Sequence, residues 1–416
     1  MRKSLNLELE VQSGHDRDID MYIEANLRIT DGKIKTDLYK KADHVFLWVV
    51  LVVEMLNVAY DEGREWAARK KLDQVPSDLE KVFQILLEKD NQHKEETLLL
   101  LQWTLFARTR LSSEAVYFAT LAGTSQEDLE PWDQPADRGK LIRRYITSTS
   151  KGLVEVIHDA LNNLSYVQFI HLSVKEFLLR NKRLARMDPS LETNTVAKCH
   201  HRLAACCASR IKVTGSSLSG PTPPGKQSFF QYASRNLLEH AEIAQANGIS
   251  QEILLGWLLQ RKVALDQKIQ ARENFDYESG YALFNGTLLL PHLAHNGFTA
   301  LVACCARMDV EIDAEAPYYG TALEAASRRG NVEMVKLLLE SGADVNARDG
   351  VALVEASRWG HLDVLRLLIE QGADLNARNG MALVEASANS RMDVLRLLIR
   401  RGAKINAIER HSLELQ

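Results

Sequence analysis

The chain has 416 residues, with an apolar fraction of 46%, a charged fraction of 25% and a formal net charge of −4. These values are typical of soluble globular proteins and leave room for about two to four domains. A weakly negative chain has no general attraction for nucleic acid or anionic membranes, which argues against both classes of partner.

The cysteines also bear on the class of protein. There are five, two adjacent pairs and one single residue, which does not fit a disulfide framework. The first residues lack the apolar core of a signal peptide. The most apolar run, Val45 to Leu56, is too short to span a bilayer and contains Glu54. We therefore expect an intracellular protein, in the cytoplasm with the nucleus as an alternative, without a membrane segment.

Residues 1–75 predict a helical region. The first helix follows Gly14, and a second is expected over residues 34–59 with an apolar middle that indicates burial on all sides. The apolar side chains that fall on one face of the first helix are Ile19, Tyr22, Ile23 and Leu27.

Residues 76–190 predict helices followed by a β-hairpin. Ser77 and Glu80 have the spacing of a capping box that opens a helix, and a further helix is expected over residues 97–110. Ser112 or Ser113 would cap the next helix, and another would end at Gly152. Two strands, 153–157 and 166–171, then precede a helix opened by Ser173 and Glu176. Three helices, a hairpin and a further helix are the outline of a winged-helix-like domain.

Residues 191–286 predict a helical linker with a Gly/Ser/Pro-rich loop at 215–225. Cys199, His200, His201, Cys206 and Cys207 are a conceivable metal site. Zinc ligands, however, usually come in pairs two to four residues apart on turns, whereas these residues lie along one predicted helix. Buried cysteines acting as small apolar side chains are the favoured interpretation, so no metal is expected.

The C-terminal part is written in repeats of about 30 residues, a period typical of solenoids. TALEAASRRGNVEMVKLLLESGADVNARDG, VALVEASRWGHLDVLRLLIEQGADLNARNG and MALVEASANSRMDVLRLLIRRGAKINAIER are three versions of one unit. A unit of this kind buries its apolar face only by stacking on its neighbours. The predicted units are 318–350, 351–380 and 381–410, preceded by a degenerate capping unit at 287–316.

These units resemble ankyrin repeats. In the first unit Gly330 would end the short helix in the left-handed conformation, and Gly342 would allow the turn that follows the long helix. Two departures stand out. The period is shorter than the usual 33 residues, so the projecting hairpin finger is reduced. Thr321 is replaced in the later units, where Asp349 and Asn379 are the expected helix caps.

A second resemblance covers residues 14–180. KADHVFLWVVLVVEML, VPSDLEKVFQILL, LLQWTLFARTRLSSEAV and GLVEV…VQFIHLSVKEFLL resemble the region after the nucleotide-binding core of fungal NACHT (STAND-type) signalling ATPases. The resemblance implies the order helical domain, winged helix, helical linker and repeats. No G-x-x-x-x-G-K-[ST] occurs in the chain, so we expect neither ATPase activity nor a cofactor.

His171 is the nucleotide-contact candidate that this resemblance implies. Its FIHLS segment is similar to one in which the family's winged-helix histidine contacts the phosphate of ADP. An alternative function is therefore a partial nucleotide switch that docks on a separate P-loop chain. A further alternative is a fragment of a longer NACHT–ankyrin protein, and a third interpretation gives His171 only a role at the strand-to-helix junction.

The candidate binding residues lie on the short-helix side of the repeats, where the units differ from one another. Identical positions such as Leu367 and Leu397 belong to the core. An exposed Trp beside an Arg is a frequent interface anchor, although Trp359 could instead pack on the neighbouring unit. The candidate contact residues are Arg328, Arg329, Glu355, Arg358, Trp359 and Asn389.

The sequence thus predicts a mainly α protein: a helical domain and a winged-helix-like domain with a small hairpin, then a helical linker and an ankyrin-repeat α-solenoid. We expect a non-enzymatic regulatory protein that binds a protein partner through its repeats. A winged helix could bind DNA, but the net charge opposes it, and no small-molecule substrate is evident.

Overall fold

A computed structural model describes residues 15–61, 65–89, 91, 93–124, 138–159, 164–180, 182–216, 224–260, 289–317 and 319–404. The chain divides into two compact units. The first comprises Met1–Thr195 with Pro221–Phe229, and the second Val196–Gly220 with Phe230–Gln416. Within the described residues the fold is mainly helical, with one small two-stranded sheet and stacked helix pairs toward the C-terminus.

The first unit is helical apart from one hairpin. Its helices enclose a core in which Trp48 and Trp103 are fully buried. A π-helical turn (Ile85–Lys89) follows α5, and a 3-10 turn (Pro189–Leu191) follows α10. The helices are α1 (His15–Asn26), α2 (Gly32–Ala42), α3 (Phe46–Asp61), α4 (Glu65–Gln74), α5 (Leu79–Gln84), α6 (Lys94–Phe106), α7 (Ser113–Thr124), α8 (Arg138–Thr149), α9 (Leu172–Leu179) and α10 (Arg183–Met187).

The single helix predicted over residues 34–59 is wrong, because the chain breaks there into α2 and α3. Asp43 and His44 both have left-handed backbones, with φ of 44° and 63°, which end α2. The burial predicted for the apolar run is confirmed. Trp48 within it donates a hydrogen bond from its indole N–H to the Pro76 carbonyl at 2.7 Å.

Two further helix boundaries differ from the sequence prediction. The residue that caps α5 is Asp78, not Ser77, because Asp78 has the extended backbone of an N-cap and its carboxylate accepts from the Glu80 N–H at 2.9 Å. Helix α6 ends at Phe106, four residues before the predicted end. Of the two alternatives for α7, Ser112 is the cap, since its hydroxyl accepts from the Ala115 N–H at 3.1 Å.

The predicted hairpin is confirmed, but its strand bounds differ: the first strand begins one residue later and ends two residues later than predicted, and the second lies two residues earlier. β1 (Val154–Asp159) pairs antiparallel with β2 (Leu164–Phe169), and Val156 lies opposite Val167. The N–H of Val167 donates to the Leu111 carbonyl at 3.2 Å, which fastens β2 to the segment before α7. The hairpin is therefore anchored in the first unit rather than free at its edge.

The last helices described before the repeats are α11 (Thr195–Ser216), α12 (Pro224–Ala246) and α13 (Glu252–Leu259), and most of their residues belong to the second unit. Both ends of the loop predicted at 215–225 are helical instead, because α11 reaches Ser216 and α12 begins at Pro224; residues 217–223 lie outside those described. The Glu242 carboxylate on α12 accepts hydrogen bonds from the backbone N–H groups of Ala300 and Leu301, both at 2.9 Å. It thereby ties α12 to the start of the helical pairs that follow.

The described residues from Leu289 onward form four helix pairs, each a short helix followed by a second, outer helix. The ranges of the first helices in the third and fourth pairs include the turns before them: residues 348–350 and 378–380 have positive φ, so the regular short helices begin at Val351 and Met381. The short helices stack side by side in chain order, and the outer helices form a parallel row. The pairs are α14 (Leu289–Asn296) with α15 (Thr299–Cys305), α16 (Ala322–Arg329) with α17 (Val332–Glu340), α18 (Ala347–Trp359) with α19 (Leu362–Glu370), and α20 (Ala377–Ala388) with α21 (Met392–Arg400).

The turn inside each pair needs a left-handed residue. Gly330 and Gly360 supply it with φ of 70° and 81°, as predicted for Gly330. An added Cβ at Gly360 would lie 2.8 Å from Arg391 Cδ, so the glycine also makes room for the next repeat. In the last pair the position is held by Ser390 at φ 55°, a conformation that costs a residue with a side chain about 1 kcal/mol.

Candidate protein-binding face of the repeats

The turns that connect successive repeats are tight. Arg348, Asp349 and Gly350 are consecutive residues with positive φ, and Arg378 and Asn379 repeat the pattern one unit later. Within residues 319–404 the backbone contains no β-strand, so the shortened turns do not form a strand-like finger. Regular short helices therefore begin directly after these turns.

The expectation that Asp349 and Asn379 cap the short helices is wrong. Both have φ of 58°, whereas an N-cap needs an extended backbone to direct its side chain at the helix N–H groups. Asp349 instead accepts a hydrogen bond at 3.0 Å from the N–H of Arg378, in the next turn. Only the first of the three repeats keeps a side-chain cap on its short helix, where Thr321 Oγ1 accepts from the Glu324 N–H at 3.3 Å.

One set of hydrogen bonds fixes the repeats to each other at the end of the outer helices. The Asn346 side chain accepts from the Asp374 N–H at 2.8 Å, and Asn376 accepts from the Lys404 N–H at 3.0 Å. One repeat earlier, the Asp313 carboxylate accepts a hydrogen bond from the Asp344 N–H at 3.1 Å. The side chain at this position thus sets the stacking register of each unit on the one before it.

A second set of contacts crosses the short helices as a row of alternating charges. Arg328 Nε lies 3.0 Å from Glu355 Oε2, and Arg358 Nη1 lies 3.4 Å from Glu355 Oε1. Arg358 also donates two hydrogen bonds to Glu385, from Nη2 to Oε1 at 2.7 Å and from Nε to Oε2 at 3.0 Å. We call Arg328, Glu355, Arg358 and Glu385 the arginine–glutamate ladder. It joins all three C-terminal repeats through charge-assisted hydrogen bonds.

Beside the ladder, the buried carboxylate of Glu324 pairs with the partly exposed Arg348. Arg348 Nη1 lies 2.8 Å from Glu324 Oε2 and its Nε 3.3 Å from the exposed Glu315. Burial raises the pKa of the Glu324 carboxyl, while the nearby Arg348 and Arg328 oppose that shift. Glu324 Oε1 accepts no hydrogen bond from the described residues, which is consistent with a carboxylate disfavoured by desolvation.

The predicted contact residues divide into two groups. Arg328, Glu355 and Arg358 belong to the ladder, and Asn389 joins its end by donating to Glu385 Oε2 at 3.3 Å. These side chains hold the repeats together as well as facing solvent. Arg329 and Trp359 lie outside the ladder and are exposed, Trp359 with 49% of its surface accessible.

Sequence reasoning missed Glu385, Arg348 and Glu324. A signal for the first was present: Arg328 and Glu355 are 27 residues apart, and so are Arg358 and Glu385. A repeated opposite-charge spacing slightly shorter than the repeat itself would have predicted contacts between successive units. The pair of Glu324 and Arg348 gives no repeated spacing, because valine occupies the position of Glu324 in the two later repeats.

His171 lies in the turn between β2 and α9, with an exposed side chain. Its backbone carbonyl accepts from the Val174 N–H at 3.2 Å, so its main chain takes part in the strand-to-helix junction. The nearby Arg183, one of several basic residues around this region, lies 2.7 Å from Glu80 and stacks over the Phe177 ring at 4.2 Å.

In the cysteine and histidine cluster on α11, Cys199, His200, Cys206 and Cys207 are buried and His201 is exposed. Burial raises the pKa of the Cys206 thiol to about 12. His200 Nδ1 lies 2.7 Å from His240 Nδ1, whose ring also contacts the Tyr232 hydroxyl at 2.8 Å. Within the described ranges no group of three or more His, Cys, Asp or Glu side chains is arranged to hold a metal ion.

No helix in the described part of the chain has both the length and the apolar character needed to cross a membrane.

Stacked pairs of antiparallel helices joined by left-handed turns define the C-terminal region as an α-solenoid. Comparison with known families identifies its type. Residues 320–350 match the family described as ankyrin repeat, and residues 353–399 match that described as ankyrin repeats (many copies). This part of the chain therefore consists of ankyrin repeats. A search of curated proteins found no match to the chain.

Proposed function

We propose that the chain is a non-enzymatic regulatory protein that captures a protein partner through the short-helix face of its ankyrin repeats. We define this face by the ladder together with the exposed side chains beside it. The observation that supports the proposal most is that Trp359 is half exposed and directly follows Arg358, whose guanidinium is fixed by Glu355 and Glu385. A rigid aromatic beside guanidinium groups is the composition enriched at interface anchors. Ankyrin repeats are typically binding modules rather than enzymes.

We propose further that the N-terminal part is related to the helical and winged-helix-like regions of fungal NACHT proteins and that it lacks the ATPase core. Support comes from the order of helices, hairpin and helix in the first unit. The proposed domains are 1–75, 76–190, 191–286 and 287–410. The last includes α14 and α15 as a degenerate cap, supported by the hydrogen bond from Asp344 to Asp313.

Affinity capture tests the proposal with variants of the full chain. The face variant combines Arg329→Ala with Trp359→Ala. The control combines Arg366→Ala with Arg396→Ala, which removes exposed arginines from the outer helices. We expect a partner that is retained by the wild type and the control and lost by the face variant. A partner set that is the same for all three proteins would contradict the proposal.

A further inference from the structure

On the short-helix face the arginine side chains are more exposed to solvent than the carboxylates with which they form the three pairs below. Three carboxylates are less exposed than the arginines that they hold: Glu324 is 2% exposed and Arg348 36%, although Arg348 also pairs with Glu315, which is 61% exposed. Glu355 is 7% exposed and its partner Arg328 27%, while Glu385 is 20% exposed and Arg358 41%. The charges of these three pairs therefore cancel formally, but within each pair the guanidinium group is nearer to solvent than the carboxylate; Glu315 is the exposed exception.

Three more arginines add to this positive surface. Among the described residues no carboxylate forms an ion pair with Arg329, Arg378 or Arg391 within 4.0 Å. Arg378 occupies the same turn position as Arg348, but Val354 stands where Glu324 would have to be. Asp349 is exposed nearby, and its carboxylate accepts from the Arg378 backbone N–H. The uncompensated charge on this face is consequently positive.

The ladder also fixes the arginines before any partner arrives. Arg358 is held by both oxygens of Glu385 and by Glu355, and a forked guanidinium fixed at several nitrogens has few rotamers left to lose. Arg391 Nε donates to the Arg358 carbonyl at 3.1 Å, which fixes its guanidinium at the C-terminal end of the short helix that carries Trp359. Binding a negatively charged group here therefore costs less side-chain entropy than binding at free surface arginines.

We propose that the short-helix face binds an acidic segment of a protein partner, with Asp or Glu side chains against the outward guanidinium groups and an apolar side chain over Trp359. The inference rests on the proposed protein-binding function and names the chemistry of the partner. Charge complementarity carries it: among the described residues no carboxylate forms an ion pair with Arg329, Arg378 or Arg391, so these guanidinium groups can receive the carboxylates of a partner.

The test uses the full chain and a fluorescent Glu-rich peptide containing one aromatic residue. Binding is followed by fluorescence anisotropy. The face variant combines Arg329→Glu with Arg378→Glu, neither of which belongs to the ladder. The matched control combines Arg366→Glu with Arg396→Glu on the outer helices, so both variants change the net charge equally. We expect Kd to rise at least about tenfold in the face variant and less than about twofold in the control.

Salt and competitor peptides complete the test. The Kd of the Glu-rich peptide should rise when NaCl is raised from about 50 to about 200 mM, because exposed ion pairs are screened. Equal binding of a neutral or Lys-rich peptide, tighter binding of a single-stranded oligonucleotide, or equal losses in both variants would overturn the inference. If affinity capture through Trp359 succeeds while the acidic peptide fails to bind, only this inference falls. If capture does not depend on the face, the proposed function falls as well.

Discussion

Arg348→Ala should destabilise the repeats, because it leaves the buried Glu324 carboxylate without its nearest cation. Arg348 Nη1 is 2.8 Å from a carboxylate that is 2% exposed. Removing one partner of a fully buried ion pair costs about 3–5 kcal/mol. Arg348 itself is 36% exposed and already partly screened by water, so we expect a loss of about 2–3 kcal/mol in the free energy of unfolding near pH 7. For a domain of the size of the repeat region, the midpoint temperature of thermal unfolding should fall by about 5–10 °C.

The pH dependence of this loss identifies its cause. Burial already raises the pKa of Glu324 in the folded chain, and loss of the nearest cation raises it further. A carboxyl whose folded pKa exceeds its unfolded value binds more protons when folded, so the free energy of unfolding falls as pH rises through the folded pKa. The cost of Arg348→Ala should therefore be larger at about pH 8 than at about pH 5.

Urea unfolding followed by tryptophan fluorescence and circular dichroism measures these differences. Adding Glu324→Gln to Arg348→Ala removes the buried charge and should recover most of the loss, to within about 1 kcal/mol. Arg366→Ala is the control, since its ion pair to Asp363 is exposed and should contribute less than about 0.5 kcal/mol. An equal loss at both pH values, with no recovery in the double variant, would refute the reasoning.

Three further outcomes are expected. Gly360→Ala should destabilise the repeats by about 1–3 kcal/mol, because φ is 81° and the new Cβ would meet Arg391; an unchanged urea midpoint would contradict this. Ser390→Gly should stabilise them by about 0.5–1 kcal/mol by relieving a left-handed serine, and a lower midpoint would count against that strain. His171→Ala should leave calorimetric titrations with ADP unchanged, whereas ADP binding lost in this variant would favour the nucleotide switch.

The repeats could be predicted because their information is local and written three times. Gly330 and Gly360 mark the ends of short helices, and the predicted backbone appears at both. Helix boundaries in the N-terminal compact unit were harder to predict, because each depends on one or two residues. No glycine or proline marks the break at Asp43 between α2 and α3. Asp78 and Ser77 are both residue types that cap helices, and the sequence alone does not decide between them.

The candidate face was predicted only in part. Variation between units predicts contact residues on the short-helix side, but it does not distinguish side chains that are open to solvent from side chains that join the repeats. Glu355 is the clearest case: it varies as a contact residue would, yet it is buried between Arg328 and Arg358. That distinction depends on contacts between successive repeats, and such contacts follow from the stacking geometry rather than from composition.

Hydrogen exchange of the full chain with and without its captured partner tests the central claim most directly. The account predicts slower exchange, on binding, in peptides covering the turns and short helices at residues 347–359 and 377–388. Peptides covering the outer helices at residues 362–370 and 392–400 should exchange at the same rate in both states. Protection confined to the outer helices, or to the first unit, would contradict binding through the short-helix face.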